Sequence, residues 1–149
     1  MTTAAPDKRP VTRNEELVLS ALKRAEAPQT AYQLLDALRE EGLKAPPQIY
    51  RALRSLGERH LVHRLDSLNA FVACGHHHEH DARTLVFLIC GGCGRVCEFA
   101  DESLDRLLKD AAGRRGFQVD DAAVEVRGLC DSCRKGTDLR NYGGAVATP

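Results

Sequence analysis

Four cysteines stand in two matched pairs, Cys90-Gly91-Gly92-Cys93 and Cys130-Asp131-Ser132-Cys133. A two-residue gap lets both thiolates of a pair reach one tetrahedral ion, and two such pairs complete a closed site of four sulfurs. Gly91, Gly92 and Gly94 let the backbone fold tightly around them. Isolated redox dithiols or disulfides leave the match between the pairs unexplained, so the spacing predicts structural zinc. In a domain this small, apparent zinc binding on the order of 10 kcal/mol is folding free energy. The other ligand-type residues are His63, Cys74, His76, His77, His78, His80, Cys97 and Glu98. The tract from Cys74 to His80 lies mid-chain between two strand patterns, and taken alone it also fits a loose metal-scavenging loop.

The 36 residues separating the two pairs exceed a simple zinc ribbon, so a helix and a strand must fit between them. Asp101 is placed to cap a helix with Leu104, Leu107 and Leu108 inward, and residues 118–127 alternate as a strand. In the first half, Thr12 followed by Glu15, and Thr30 followed by Gln33, are capping boxes. The first opens a helix with Leu17, Val18, Ala21 and Leu22 on one face, ended by Pro28. The second opens a helix with Leu34, Leu35 and Leu38 inward and Gly42 as its stop. Pro46 and Pro47 suit the first turn of a third helix, where a missing N–H costs little. Its inward face is Ile49, Leu53 and Leu56, which leaves Gln48, Arg51, Arg54 and Ser55 pointing elsewhere. Residues 61–65 and 70–73 read as two short strands around Ser67-Leu68-Asn69. Three short helices and a hairpin are the layout of a winged helix-turn-helix, whose third helix enters a major groove. On a lone amphipathic helix Arg51 and Arg54 would be solvated surface; in this order of elements they are candidate DNA contacts.

Charge agrees with this division. The chain has 149 residues, with 21 Lys+Arg against 21 Asp+Glu, so neither a polycation nor an acidic tail is the basis of function. Residues 1–66 nevertheless hold 11 basic and 9 acidic side chains, net +2, and residues 67–149 hold 10 and 12, net −2. Residues 44–64 carry five basic residues and one acid, Glu58. No run of 18 apolar residues is present to span a membrane, and residues 1–11 show no apolar stretch of a secretory signal. Six cysteines without such a signal predict a reducing, cytoplasmic setting.

The order winged helix, hinge, His-rich stretch, CxxC, acidic residue, helix, CxxC resembles the ferric uptake regulator family of metal-sensing repressors, over roughly residues 12–135. Ala45-Pro46-Pro47-Gln48-Ile49-Tyr50-Arg51-Ala52-Leu53 resembles its recognition-helix motif and Thr30-Ala31-Tyr32-Gln33-Leu34-Leu35 its second helix. Phe87-Leu88-Ile89-Cys90 through Cys93-Gly94 resembles its first knuckle. Leu61-Val62-His63-Arg64 and Asn69-Ala70-Phe71-Val72-Ala73-Cys74 are most similar to the zinc uptake regulator branch. The pattern departs in the loop from Cys74 to Cys90, which does not align without a gap, and at the first helix, where Thr12-Arg13-Asn14-Glu15 stands in place of the family's Thr-Pro-Gln-Arg.

The resemblance implies a second, sensory zinc held by His63, Cys74, His80 and Glu98, with His76, His77 and His78 as further candidates, and thus about two Zn2+ per chain. A thiolate such as Cys74 favours zinc, whereas iron and manganese sensors of this type use histidine and carboxylate alone. Glu98 lies on the strand leaving the knuckle; its neighbour Cys97 faces the other way and reads as a small buried apolar residue. Tyr32 and Arg51 carry over as DNA contacts. Tyr50 reads equally as packing or as a phosphate contact, and Asp36 with Arg39 as a solvated pair.

The expected fold is α+β: a winged-helix DNA-binding domain over 1–66, a hinge with metal ligands over 67–80, a small α/β dimerisation and zinc-binding domain over 81–135, and a disordered tail over 136–149. The implied function is zinc-responsive repression of zinc-uptake genes by a homodimer on palindromic, double-stranded operator DNA, with no enzymatic activity. An iron-, manganese- or peroxide-sensing member of the same family is the alternative. A zinc-dependent deaminase is the remote one, since His77-His78-Glu79 and Cys90-x-x-Cys93 match its two motifs. Against that, only ten residues separate the motifs, no proline precedes Cys90, and the second cysteine pair would have no role.

Overall fold

The computed structural model describes residues 9–75 and 84–136. His76, His77, His78 and His80, and the tail from 137 onward, lie outside the described residues. The chain divides into two compact units, Met1–Glu79 and His80–Pro149.

The first unit contains α1 (Arg13–Arg24), α2 (Ala31–Ala37), α3 (Pro46–Glu58), β1 (Val62–Leu65) and β2 (Ala70–Ala73). Both capping boxes form. The Thr12 hydroxyl accepts from the Glu15 N–H at 3.3 Å while the Glu15 carboxylate accepts from the Thr12 N–H at 2.8 Å. Thr30 and Gln33 repeat the exchange at 3.2 and 2.8 Å. Helix ends fall earlier than Pro28 and Gly42 suggest: α1 closes at Arg24 and α2 at Ala37. The chain must leave α1 early, because Gln29 is extended and exchanges backbone hydrogen bonds with Phe71 of β2 at 3.0 and 2.8 Å. Val18, Leu22, Leu34, Leu38, Ile49, Leu53 and Leu56 form one buried core with Leu43 and Val62. Each such side chain contributes about 1.5–3 kcal/mol by leaving water. The hairpin pairs antiparallel from Val62↔Ala73 to Leu65↔Ala70. Its connection is a single 3-10 turn, Asp66–Leu68, with Asn69 left-handed at φ 47°.

Two further contacts fix α3. Its C-terminus is a Schellman turn, in which Leu61 N–H donates to the Leu56 carbonyl and His60 N–H to that of Gly57, both at 2.9 Å. His60 therefore adopts φ 56°, where glycine is usual. Glu15, only 8% exposed, pairs with Arg59 at 3.6 Å. The Ser55 hydroxyl hydrogen-bonded to it, helped by Thr12 and Arg59, holds the Glu15 carboxyl below its ordinary range against the opposing effect of burial.

The second unit contains β3 (Leu85–Cys90), β4 (Val96–Ala100), α4 (Glu102–Gly113), β5 (Ala123–Gly128) and the short α5 (Asp131–Arg134). Its sheet runs β4-β3-β5, with β3 antiparallel to β4 and parallel to β5. The crossover through β4 and α4 is what a parallel pair requires. Asp101 caps α4 by accepting from the Leu104 N–H at 2.8 Å. Buried Thr84 donates its N–H and hydroxyl to the Asp105 carboxylate, both at 3.1 Å, which ties α4 to the start of β3.

Three expectations need correction. β5 begins at Ala123 rather than 118, because the chain leaving α4 first reverses through Gly116 at φ 71°. Leu107 is 61% exposed instead of inward; it lies at the edge of the stripe that Leu104 and Leu108 centre. Cys97 is exposed rather than buried. It pairs across from Leu88, which pairs with Val126, so the three share one sheet face at a place where that face is open. No helix among the described residues is long and apolar enough to cross a membrane.

Candidate metal centres and nucleic-acid face

The parallel pairing of β3 and β5 explains how two distant cysteine pairs meet. Cys90, the last residue of β3, is in register with Gly128, the last of β5, so each pair follows the same end of adjacent strands. Gly91 N–H donates to the Gly128 carbonyl at 2.8 Å, and Gly94, at φ 74°, donates to that of Cys90 at 3.0 Å. The four sulfurs of Cys90, Cys93, Cys130 and Cys133 lie within 4.8 Å of one another. Cys93 and Cys130 are 3.9 Å apart, against the roughly 3.8 Å edge of a tetrahedron with zinc–sulfur bonds of about 2.3 Å. A Cβ on Gly92 would stand 2.9 Å from the Cys133 sulfur, so only glycine fits there.

The thiols are unequal. Cys130 N–H donates to the Cys90 sulfur at 3.3 Å, and this bond leads the effects that bring the Cys90 thiol down to about 6. The Arg95 N–H lowers Cys93. Cys133, hydrogen-bonded to Cys130 and desolvated, is pushed up to about 12. Four sulfurs this close cannot all ionise without a cation among them, and a soft, four-coordinate divalent ion is what the donor set fits.

A second pair of ligand-type side chains lies in the first unit. His63 is on β1, and Cys74 follows β2 directly, its N–H donating to the Leu61 carbonyl at 2.9 Å. The hairpin brings the imidazole and the thiol within 4.8 Å of each other. Glu98 belongs to the second unit, on β4, facing away from the exposed side that Cys97 occupies.

The candidate DNA contacts sit on the outer surface of the first unit. Tyr32, in the first turn of α2, is 65% exposed, which excludes a core aromatic, and Tyr50 is 47% exposed. Arg51 and Arg54 are exposed on α3, opposite Ile49, Leu53 and Leu56. Arg51 Nε donates to the Pro47 carbonyl at 3.3 Å, and Arg39 pairs with Asp36 within α2 at 3.3 Å. A groove of about 430 Å3 beside Arg51 is lined by Thr12, Asn14, Glu15, Gln48 and Ala52. Neither the Gln29–Phe71 bridge nor the Glu15–Arg59 pair was visible in the sequence, because both join residues more than 40 positions apart.

Comparison with known proteins agrees with this architecture. The sequence model of the ferric uptake regulator family matches residues 10–127. The chain is 38% identical over 105 residues to the zinc uptake regulation protein of Escherichia coli (strain K12), which covers 70% of this chain and 61% of that relative. It is similar to the crystal structure of holo XcZur, with a TM-score of 0.76 and 40% identity over 86% of this chain and 89% of that one. A zinc uptake regulator complexed with zinc and DNA matches with a TM-score of 0.79 and 33% identity, over 85% of each chain. The deaminase reading falls, because Cys90 and Cys93 are completed by a second cysteine pair, which leaves no open position for a reacting water. With its winged unit, its paired knuckles and a match spanning both, the chain belongs to the ferric uptake regulator family.

Proposed function

We propose that this chain is a zinc-responsive transcriptional regulator whose zinc-loaded homodimer binds palindromic operator DNA and represses zinc-uptake genes. The observation that carries the reading is the thiol and imidazole of Cys74 and His63, within 4.8 Å on the wing hairpin and separate from the four-cysteine cluster. A thiolate donor favours zinc over iron or manganese. The two solved relatives described above, one named as a holo form and one as a complex with zinc and DNA, support the same assignment.

The proposed sensory ligands are His63 and Cys74 from the first unit and Glu98 and His80 from the second, with Cys90, Cys93, Cys130 and Cys133 as the structural set. When bound, zinc supplies a divalent charge that holds four donors in one shell. His63 is held by the hairpin, and the hairpin by the core beneath α3, so ligand position is coupled to the reading helix. Tyr32, Tyr50, Arg51 and Arg54 are the proposed DNA contacts, phosphate contacts setting register and base edges setting sequence. Exposed Leu88 and Val126, paired side by side on adjacent strands, give the second unit an apolar sheet face suited to pairing with a second copy.

Two α3 helices can dock together only if they face grooves one helical turn apart, so the angle at the proposed hinge between the two units decides binding. Moving such an equilibrium from 1:99 to 99:1 needs about 5.5 kcal/mol of differential affinity. A four-donor zinc site, worth on the order of 10 kcal/mol, has enough. Competitive metal titration against a duplex selected from random sequence tests the assignment. Zinc is expected to activate binding at lower free concentration than Fe2+ or Mn2+, and the reverse order overturns it.

A further inference from the structure

The first turn of α3 carries an amide whose hydrogen-bonding capacity is half committed. Gln48 is the third residue of the helix, and its Oε1 accepts from the N–H of Lys44 at 2.9 Å and of Ala45 at 3.0 Å. Ala45, at the cap position, has no side-chain acceptor, so Gln48 alone caps the turn from the side-chain side. A carbonyl oxygen has two lone pairs, and both are taken. Only the oxygen can face two N–H donors, so the amide NH2 is turned away from the backbone, and no acceptor among the described residues takes it up. Gln48 lies three residues before Arg51, on the same side of the helix, and both line the groove beside α1. This is the end of the helix that reaches base edges in a helix-turn-helix.

We propose that Gln48 is a donor-only reader of base edges in the major groove and selects a keto base, guanine or thymine, beside the contact made by Arg51. The inference rests on the DNA-binding reading above. An uncommitted glutamine amide pairs with adenine by accepting from N6 and donating to N7. With Oε1 held by Lys44 and Ala45, the first half of that exchange is lost. The free NH2 suits O6 and N7 of guanine or O4 of thymine; adenine offers N7 alone, with N6 beside it as a competing donor, and cytosine offers no acceptor.

The test is selection from a randomised duplex pool by the full-length, zinc-loaded chain, comparing wild type with Gln48→Glu and Gln48→Ala. Glutamate keeps an oxygen for the two N–H groups and replaces the donor with an acceptor. Its melting temperature should match wild type, while one position of each half-site moves from guanine or thymine to cytosine or adenine. On synthetic duplexes, wild type should prefer guanine over cytosine there by about tenfold, and Gln48→Glu should reverse the order. Gln48→Ala should lose the preference altogether. Identical selected sites for all three chains, with preferences within about twofold, overturn the proposal. If the wild-type chain enriches no sequence at all, the DNA-binding reading fails first and the role of Gln48 with it.

Discussion

Gly92 and the four sulfurs around it set the tightest constraint at the scale of single residues. A methyl group at Gly92 meets the Cys133 sulfur at 2.9 Å, whereas one at Gly91 meets the Gly128 carbonyl at an ordinary 3.7 Å. Gly92→Ala should therefore release zinc to a chelator well before wild type does, and Gly91→Ala should not, as followed with a chromogenic chelator. Cys90→Ser removes a ligand from a closed site, so metal content should fall by about one zinc per chain and the second unit should lose its circular-dichroism signal. Cys74→Ser should leave the fold and the structural zinc intact and abolish the response of DNA binding to added zinc. The four-cysteine set was legible because its spacing is fixed by coordination chemistry. Pairing of His63 with Cys74 rested on resemblance alone, since only the hairpin register brings them together. Cys97 is exposed where its sequence suggests burial, because alternation along a strand tells which way a side chain faces, not whether that face is covered.

At the scale of elements, starts were easier to read than ends. Thr12, Thr30 and Asp101 announce their helices through bonds made within three residues. Where α1 stops depends on Phe71, and where β5 starts depends on the reversal after α4, so neither is encoded locally. The parallel match of β3 with β5 is non-local in the same way. The end of α3 carries a testable strain: His60 occupies a left-handed position at φ 56°, and His60→Gly should stabilise the first unit by about 1 kcal/mol in thermal unfolding. The Glu15 carboxyl is held low by Ser55, Thr12 and Arg59, so its contribution is full above the ordinary value of 4.5 and is lost as pH falls through the depressed folded value. Glu15→Gln keeps the cap acceptor but removes the charge. Stability near neutrality should drop by about 1–3 kcal/mol, and the acid limb of the pH–stability curve should flatten.

For the whole molecule, the proposed zinc response joins a metal site to a DNA surface. Arg51→Ala should weaken duplex binding while leaving about two zinc ions per chain. The arginine is exposed on α3, outside the core and outside both ligand sets. Linkage makes the coupling reciprocal: a bound duplex should tighten zinc by the same factor that zinc tightens the duplex. The most direct measurement is the Kd for one selected duplex, taken with the sensory zinc removed by a mild chelator and again after zinc is restored, with metal per chain counted in both states. The account predicts retention of the structural zinc throughout and at least a hundredfold gain in affinity, about 2.7 kcal/mol, on refilling the second site. Equal affinity in the two states would contradict it.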